Sequence, residues 1–138
     1  MKNKIYKILC LLAFIFISCD LGVTTENNII GHWGLVSIDG IIFKELEGYQ
    51  SNSLYFNKDR TVSLPYKDYF ERERNAIWSM TKKSPESLLL KIKSNKDEIF
   101  DNTFKFIWLD QENFVVKLIS DDNVIIIQKI NTFSDTNR

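Results

Sequence analysis

The groups in this 138-residue chain best suited to nucleophilic or metal chemistry are Cys10, Cys19 and a single histidine, His32. Nucleophilic hydrolysis asks for a Ser, Thr or Cys beside a base that a third group orients. His32 could be that base, yet no Ser stands in a G-x-S-x-G elbow. A zinc site needs three or four converging His, Cys or carboxylate ligands, more than these residues supply. The run "SDDN" at 120–123 offers too few ligands and lacks the glycine of a calcium loop, so it reads as a hairpin turn. In "FERERN", Glu71, Arg72, Glu73 and Arg74 alternate in sign and read as a solvated rim, with a partner-docking patch as the other reading. These patterns predict no catalytic residue, no metal and no cofactor, and the chain is not expected to be an enzyme.

Cys19 has a different kind of setting. Lys2, Lys4 and Lys7 precede ten unbroken apolar residues from Ile8 to Ile17, and no acid occurs before Asp20. A basic start, an apolar run of about 7–15 residues and a small residue before a cut describe an export signal, too short to span a bilayer. The residues "IFISC" resemble a bacterial lipobox, in which the signal is cut before a Cys whose sulfur then carries a diacylglyceryl group. Ser18 suits the position before the cut; Phe16 stands where Leu is commonest and Ile17 where a small residue is usual. The resemblance implies lipidation at Cys19 and a membrane partner reached through that lipid. The protein is then expected in a bacterial cell envelope, on the outer membrane if the cell has one.

Cys10 leaves with the signal, so the mature chain keeps Cys19 alone and forms no internal disulfide. An exported domain without a disulfide depends on its core for stability. Cutting after residue 18 removes three lysines and no acid, which leaves 15 bases against 18 acids and a net charge of −3. The bases are scattered among acids and form no single-signed stripe, so nucleic acid is not an expected partner. About 120 mature residues make one domain. "DLGVTTENN" after Cys19 has no periodicity. The divisions expected are a signal at 1–18, a tether at 19–28, a domain at 29–130 and a tail at 131–138.

Within the domain the apolar residues recur every second position, the period of a strand with one buried face. The expected inward residues are Leu54 and Phe56, Val62 and Leu64, Trp78 and Met80, and Leu88, Leu90 and Ile92. Further along they are Phe104, Phe106 and Trp108 with Lys105 outward, and Phe114, Val116 and Leu118 with Lys117 outward. In "NVIIIQKI", Lys129 taken as outward predicts Val124, Ile126 and Ile130 inward. Turn residues separate these runs, and Asp39-Gly40 is the strongest hairpin signal because both residues accept positive φ. The connection "YKDYFERERN" spaces Tyr66, Tyr69 and Phe70 like one helical turn and stays open between a short helix and a flap. Eight or nine short strands joined by tight turns predict an all-β, antiparallel up-and-down barrel of about eight strands, since closure removes exposed edges.

Gly31-His32-Trp33 resembles the G-x-W that opens the first strand of lipocalins, and "LYFNKDRTVSL", "AIWSM", "LLLKI", "FKFIWLDQENFVVKL" and "VIIIQKI" are similar to the later strands of lipocalin-like domains in bacterial lipoproteins. The resemblance covers nearly all of 29–130 and implies a binder of small apolar ligands. Three departures stand out: Arg60 where the family's turn has Gly, Ala76 in place of the Gly before Trp78, and Lys129 where an Arg stacks on the first-strand Trp. Without the family, Gly31 reads as a sharp entry into the barrel and Trp33 as a structural plug of its floor. His32 beside it reads as facing solvent or a backbone carbonyl.

An eight-stranded barrel is just wide enough to be filled by side chains or to hold one small ligand. Seven aromatics are expected inside: Trp33, Phe56, Trp78, Phe104, Phe106, Trp108 and Phe114. They suit either a filled core or a small apolar pocket lined by Phe104, Phe106, Trp108 and Phe114, the candidate ligand-binding residues. The expected function is a membrane-anchored lipocalin-like lipoprotein that binds a small apolar ligand in or at the mouth of the barrel. The other reading is an envelope protein-interaction module, such as an inhibitor, immunity-type protein or assembly factor, with a filled barrel.

Overall fold

The computed structural model describes residues 28–68, 70, 72, 73, 75–84 and 87–130. The expected export signal at 1–18, Cys19, the expected tether as far as residue 27 and the expected tail at 131–138 lie outside the described residues. Nine strands form: β1 Gly31–Ile38, β2 Ile41–Ile42, β3 Ser53–Phe56, β4 Val62–Ser63, β5 Ile77–Ser84, β6 Ser87–Lys93, β7 Asn102–Asp110, β8 Val115–Ile119 and β9 Val124–Lys129. A short 3₁₀ turn, Phe43–Glu45, follows β2.

Neighbours are antiparallel along the order β4-β3-β1-β9-β8-β7-β6-β5, with β2 paired to the end of β1. The first strand therefore pairs with the last, Trp33 opposite Lys129. Thr61 bridges Ile77, and the Val62 and Trp78 amides donate to Ala76 O and Arg60 O at 2.9 and 2.8 Å, bringing the two outer strands of this order together. The result is the all-β, nearly closed antiparallel barrel that the alternation predicts.

Turn chemistry follows the sequence. Asp39 and Gly40 take φ of 51° and 81°, and the Asp39 carboxylate accepts from Val124 N and Asn123 Nδ2 at 2.8 and 2.7 Å, tying two hairpins together. These bonds hold Asp39 below its ordinary carboxylate range. Arg60, where a glycine was the expected residue, adopts φ 73°. That conformation costs a non-glycine residue roughly 1–2 kcal/mol. Its guanidinium lies 4.6 Å from the Trp78 ring centroid, a cation–π contact that offsets part of the strain.

Leu54, Phe56, Val62, Leu64, Trp78, Leu90, Ile92, Phe104, Phe106, Val116 and Leu118 are buried, on the faces their alternation predicts, and Met80, Leu88, Trp108 and Phe114 are partly buried against them. The last strand corrects the reading. Ile125 and Ile127 are the buried pair at 0% exposure, Val124 and Ile126 point to the other face, and Ile130 is 40% exposed. The cause is Lys129, which shares the inner face with Ile125 and Ile127 and carries its ammonium to Asn28 O beside the Trp33 and Phe114 rings, as long cationic side chains do when a polar acceptor waits at the end. A lysine marked the end of the buried face here, whereas Lys105 and Lys117 mark the outer face as expected.

Phe100, fully buried, also escaped the sequence reading because it lies in the connection between β6 and β7 rather than in an alternating run. Tyr66 is half-buried and Phe70 is 92% exposed, so these two residues do not share one packed helical face. Tyr69, Glu71 and Arg74 lie outside the described residues; of the other two charges in "FERERN", Arg72 is exposed, as a solvated rim expects, and Glu73 is half-buried. Glu73 accepts from Asn95 N at 2.7 Å and from the Ser94 hydroxyl, and Arg72 donates to Ser63 Oγ at 3.4 Å. These charges pin the connection to neighbouring elements.

Candidate functional site

The up-and-down path sorts the connections between two ends of the barrel. β1 begins at one end, where the β3–β4 and β7–β8 turns also fall; the β1–β3, β4–β5, β6–β7 and β8–β9 connections fall at the other.

At the first end Trp33 is fully buried and its indole N–H donates to Ile29 O at 2.7 Å. Lys129 Nζ donates to Asn28 O at 2.6 Å and lies 5.8 Å from the Trp33 ring centroid and 5.3 Å from that of Phe114. Burial pulls its pKa below the ordinary lysine value. Trp108 packs against Trp33, Phe106 and Phe114 at centroid distances of 6.4, 5.3 and 6.0 Å. Gly31, at φ 129°, lets the chain turn in; a Cβ there would sit 3.2 Å from Lys129 Cε. Of the four candidate ligand-binding residues, Phe106, Trp108 and Phe114 thus form one aromatic cluster with Trp33, and Phe104 lies beside them on β7, fully buried. Neither described cleft is lined by any of the four.

The opposite end carries a cleft of about 360 Å³. Three connections build it: Tyr49 from the first, Leu64 to Asp68 and Glu73 from the second, and Lys96 to Ile99 from the third. Gln50 N donates to Tyr66 O at 2.9 Å and joins the first two. Glu73, bonded to Ser94 and Asn95, joins the second to the third.

Asp97 organises the third connection. Its Oδ1 accepts from Ile99 N and Phe100 N at 2.9 and 3.2 Å, a side-chain turn that leaves the Phe100 ring buried. Burial raises the Asp97 pKa above its ordinary 3.8, against the lowering effect of those amides and of Lys67. Tyr49 faces the same charge. Its hydroxyl oxygen is buried with no hydrogen-bond partner among the described residues, and desolvation together with the Asp97 carboxylate pushes the phenol up to about 12. Lys67 Nζ lies 5.2 Å from the Tyr49 ring centroid. Apolar floor is supplied by Leu64, Pro65 and Ile99, and four carboxylates face two ammonium groups around the rim.

A second cleft, also about 360 Å³, lies along the outer side of β1, β3 and β4 and is lined by His32, Ser51, Ser53, Tyr55, Asn57, Ser63, Leu64, Tyr66 and Arg72. His32 Nε2 pairs with Ser53 Oγ at 2.9 Å, so the imidazole meets a hydroxyl where solvent or a carbonyl was expected. Among the described residues no carboxylate bonds the imidazole, and no three His, Cys, Asp or Glu side chains converge as metal ligands.

The sequence reading missed Tyr49, Lys67, Glu73 and Asp97 as site residues. For Asp97 a signal existed, since an Asp in a turn run such as "SNKDE" favours bonding its own backbone two residues on; Tyr49 carried none. No family model, curated protein or solved structure matches the chain.

Proposed function

We propose that the chain is a lipid-anchored lipoprotein of the bacterial cell envelope, exported by residues 1–18 and held by acyl chains on Cys19, whose lipocalin-like barrel takes one small ligand at its mouth. The cleft of about 360 Å³ opposite Trp33 carries the binding half of this reading, because small-molecule sites begin at about 300 Å³. Its lining sets the chemistry. Leu64, Pro65 and Ile99 offer an apolar bed, while Tyr49, Lys67 and Asp97 offer hydroxyl and charge. The ligand is therefore a small amphiphile with a polar head, rather than a bare hydrocarbon packed among Phe104, Phe106, Trp108 and Phe114.

Two measurements test the two halves. Cys19→Ser is expected to move the processed protein from the detergent to the aqueous phase in phase partitioning; a variant that stays with detergent sinks the anchor. Amphiphiles titrated into the protein are expected to shift backbone amide resonances at 49–50, 64–68 and 96–99 saturably and to spare 108–114. Shifts confined to 108–114 would return the site to the aromatic cluster.

One observation favours a second reading. Trp33, Phe56, Trp78, Phe100 and Phe104 are each at most 2% exposed and fill the interior, which suits an interaction module that meets another envelope protein through its end connections. No saturable shift for any amphiphile, with an empty protein in native mass spectrometry, would favour that module.

A further inference from the structure

Within the nine strands the only acidic residue is Asp110, the last of β7. The strand lysines are placed very differently. Register carries two rows across the outer wall of β6, β7, β8 and β9: Leu89 opposite Lys105 opposite Ile119, and Ile107 opposite Lys117 opposite Ile126. Each lysine stands between two aliphatic side chains, and directly opposed residues of antiparallel strands hold their Cβ atoms about 4.5–5.5 Å apart. Ile107 is 37% exposed and Lys105 is exposed.

An aliphatic wall with cations set into it, whose one strand carboxylate, Asp110, sits at the end of β7 and is bonded to Asn113 of the following turn, fits a partner that is negative at its surface and apolar just beneath. A second copy fits poorly, since a two-fold pairing of this wall would set lysines near lysines. A phosphate backbone has no use for the aliphatic rows. We infer that the outer wall of β6–β9 lies against an anionic lipid surface, with aliphatic side chains in the headgroup layer and Lys105 and Lys117 on lipid phosphates. Each lysine near such a surface is drawn to its negative potential, and salt screens that attraction. The chain supplies the proximity. Cys19 is nine residues before Asn28, a span of at most about 30 Å when extended, and β1, which the tether enters, is hydrogen-bonded to β9 at the border of this wall. The proximity rests on the anchor proposed above; the composition of the wall does not.

The test uses the processed, lipidated chain with an environment-sensitive fluorophore on Ile107→Cys, and on Ser79→Cys of β5 as the control, in phosphatidylcholine vesicles with and without phosphatidylglycerol. The Ile107 label is expected to shift to the blue, and to be quenched by lipid-borne quenchers, only when phosphatidylglycerol is present. The Ser79 label is expected to stay unchanged, and added salt or Lys105→Glu with Lys117→Glu to abolish the shift. Co-flotation with both vesicle types and an unmoved Ile107 label would overturn the wall while leaving the anchor standing. Flotation with phosphatidylglycerol vesicles alone would overturn the anchor and support the wall. Equal responses at both labels, or a shift that grows with protein concentration in the absence of lipid, would overturn the wall as a lipid-facing surface.

Discussion

The two ends of the barrel solve opposite problems with similar side chains. At the Trp33 end every polar tip finds a partner: the indole N–H has Ile29 O, and the Lys129 ammonium has Asn28 O and two rings. At the mouth the Tyr49 hydroxyl is buried with no partner among the described residues, and Asp97 is held half-buried with its pKa raised. A buried polar group without a partner costs roughly 1–3 kcal/mol, so the mouth carries an unpartnered group at Tyr49, whereas at the floor the desolvated Lys129 ammonium is at least bonded to Asn28 O. A floor built this way serves stability, whereas the mouth is where the proposed ligand would supply the missing partner. The strongest test of that contrast is substitution at each end.

Trp33→Ala should have the largest effect. It empties a fully buried site beside Trp108 and strands the Ile29 carbonyl, and truncating a buried Trp or Phe costs about 3–5 kcal/mol. Urea unfolding midpoints on the variant measure it. Loss of amphiphile binding at an unchanged midpoint would mean that the Trp33 end, not the mouth, is the site.

Next in size is Lys129→Met, which keeps an aliphatic stem of similar length but removes the ammonium from Asn28 O and from both rings. A cation–π contact contributes about 0.5–1 kcal/mol and a hydrogen bond from a charged group about 1.5–3. Burial of the charge, visible in the lowered lysine pKa, opposes both. A net loss of about 1–2 kcal/mol is expected. A more stable Lys129→Met would show that desolvation outweighs the contacts, and that the floor too stores a cost.

Lys129 also shows what the sequence could and could not display. The barrel was legible because alternation is a local signal: "TFKFIWL" and "FVVKLI" each contain a lysine between apolar residues, and both lysines face outward as read. "VIIIQK" is apolar at four successive positions, so its face rested on one lysine whose direction depends on contacts with residues about a hundred positions earlier. The mouth was less legible still. Tyr49, Glu73 and Asp97 come from three connections with no period, and what makes them a site is burial and approach, which no spacing records. The cluster of Phe106, Trp108 and Phe114 was found by its pattern, but that pattern reports burial alone and does not separate a lining from a plug.

The smallest effect should come from Asp97→Asn at the mouth, and its sign separates the two ends. Burial raises the Asp97 pKa above 3.8, with Glu73 adding to the rise and Lys67 and the Ile99 and Phe100 amides opposing it. A carboxyl that binds its proton more tightly folded than unfolded favours the folded state most when protonated. Its contribution is therefore greatest below pH 3.8, falls as pH rises through the folded pKa, and is flat above it. Asn keeps an oxygen for the Ile99 and Phe100 amides and removes the charge. The stability difference between wild type and variant should drift with pH across that interval, the wild type losing ground as pH rises. Subtracting the two curves cancels Asp39, Asp59 and Asp110, whose lowered values give slopes of the opposite sign. A wild type that gains on the variant as pH rises would mean that the amides and Lys67 already satisfy the charge. The mouth would then be as settled as the floor, with no electrostatic cost at Asp97 for a ligand to relieve.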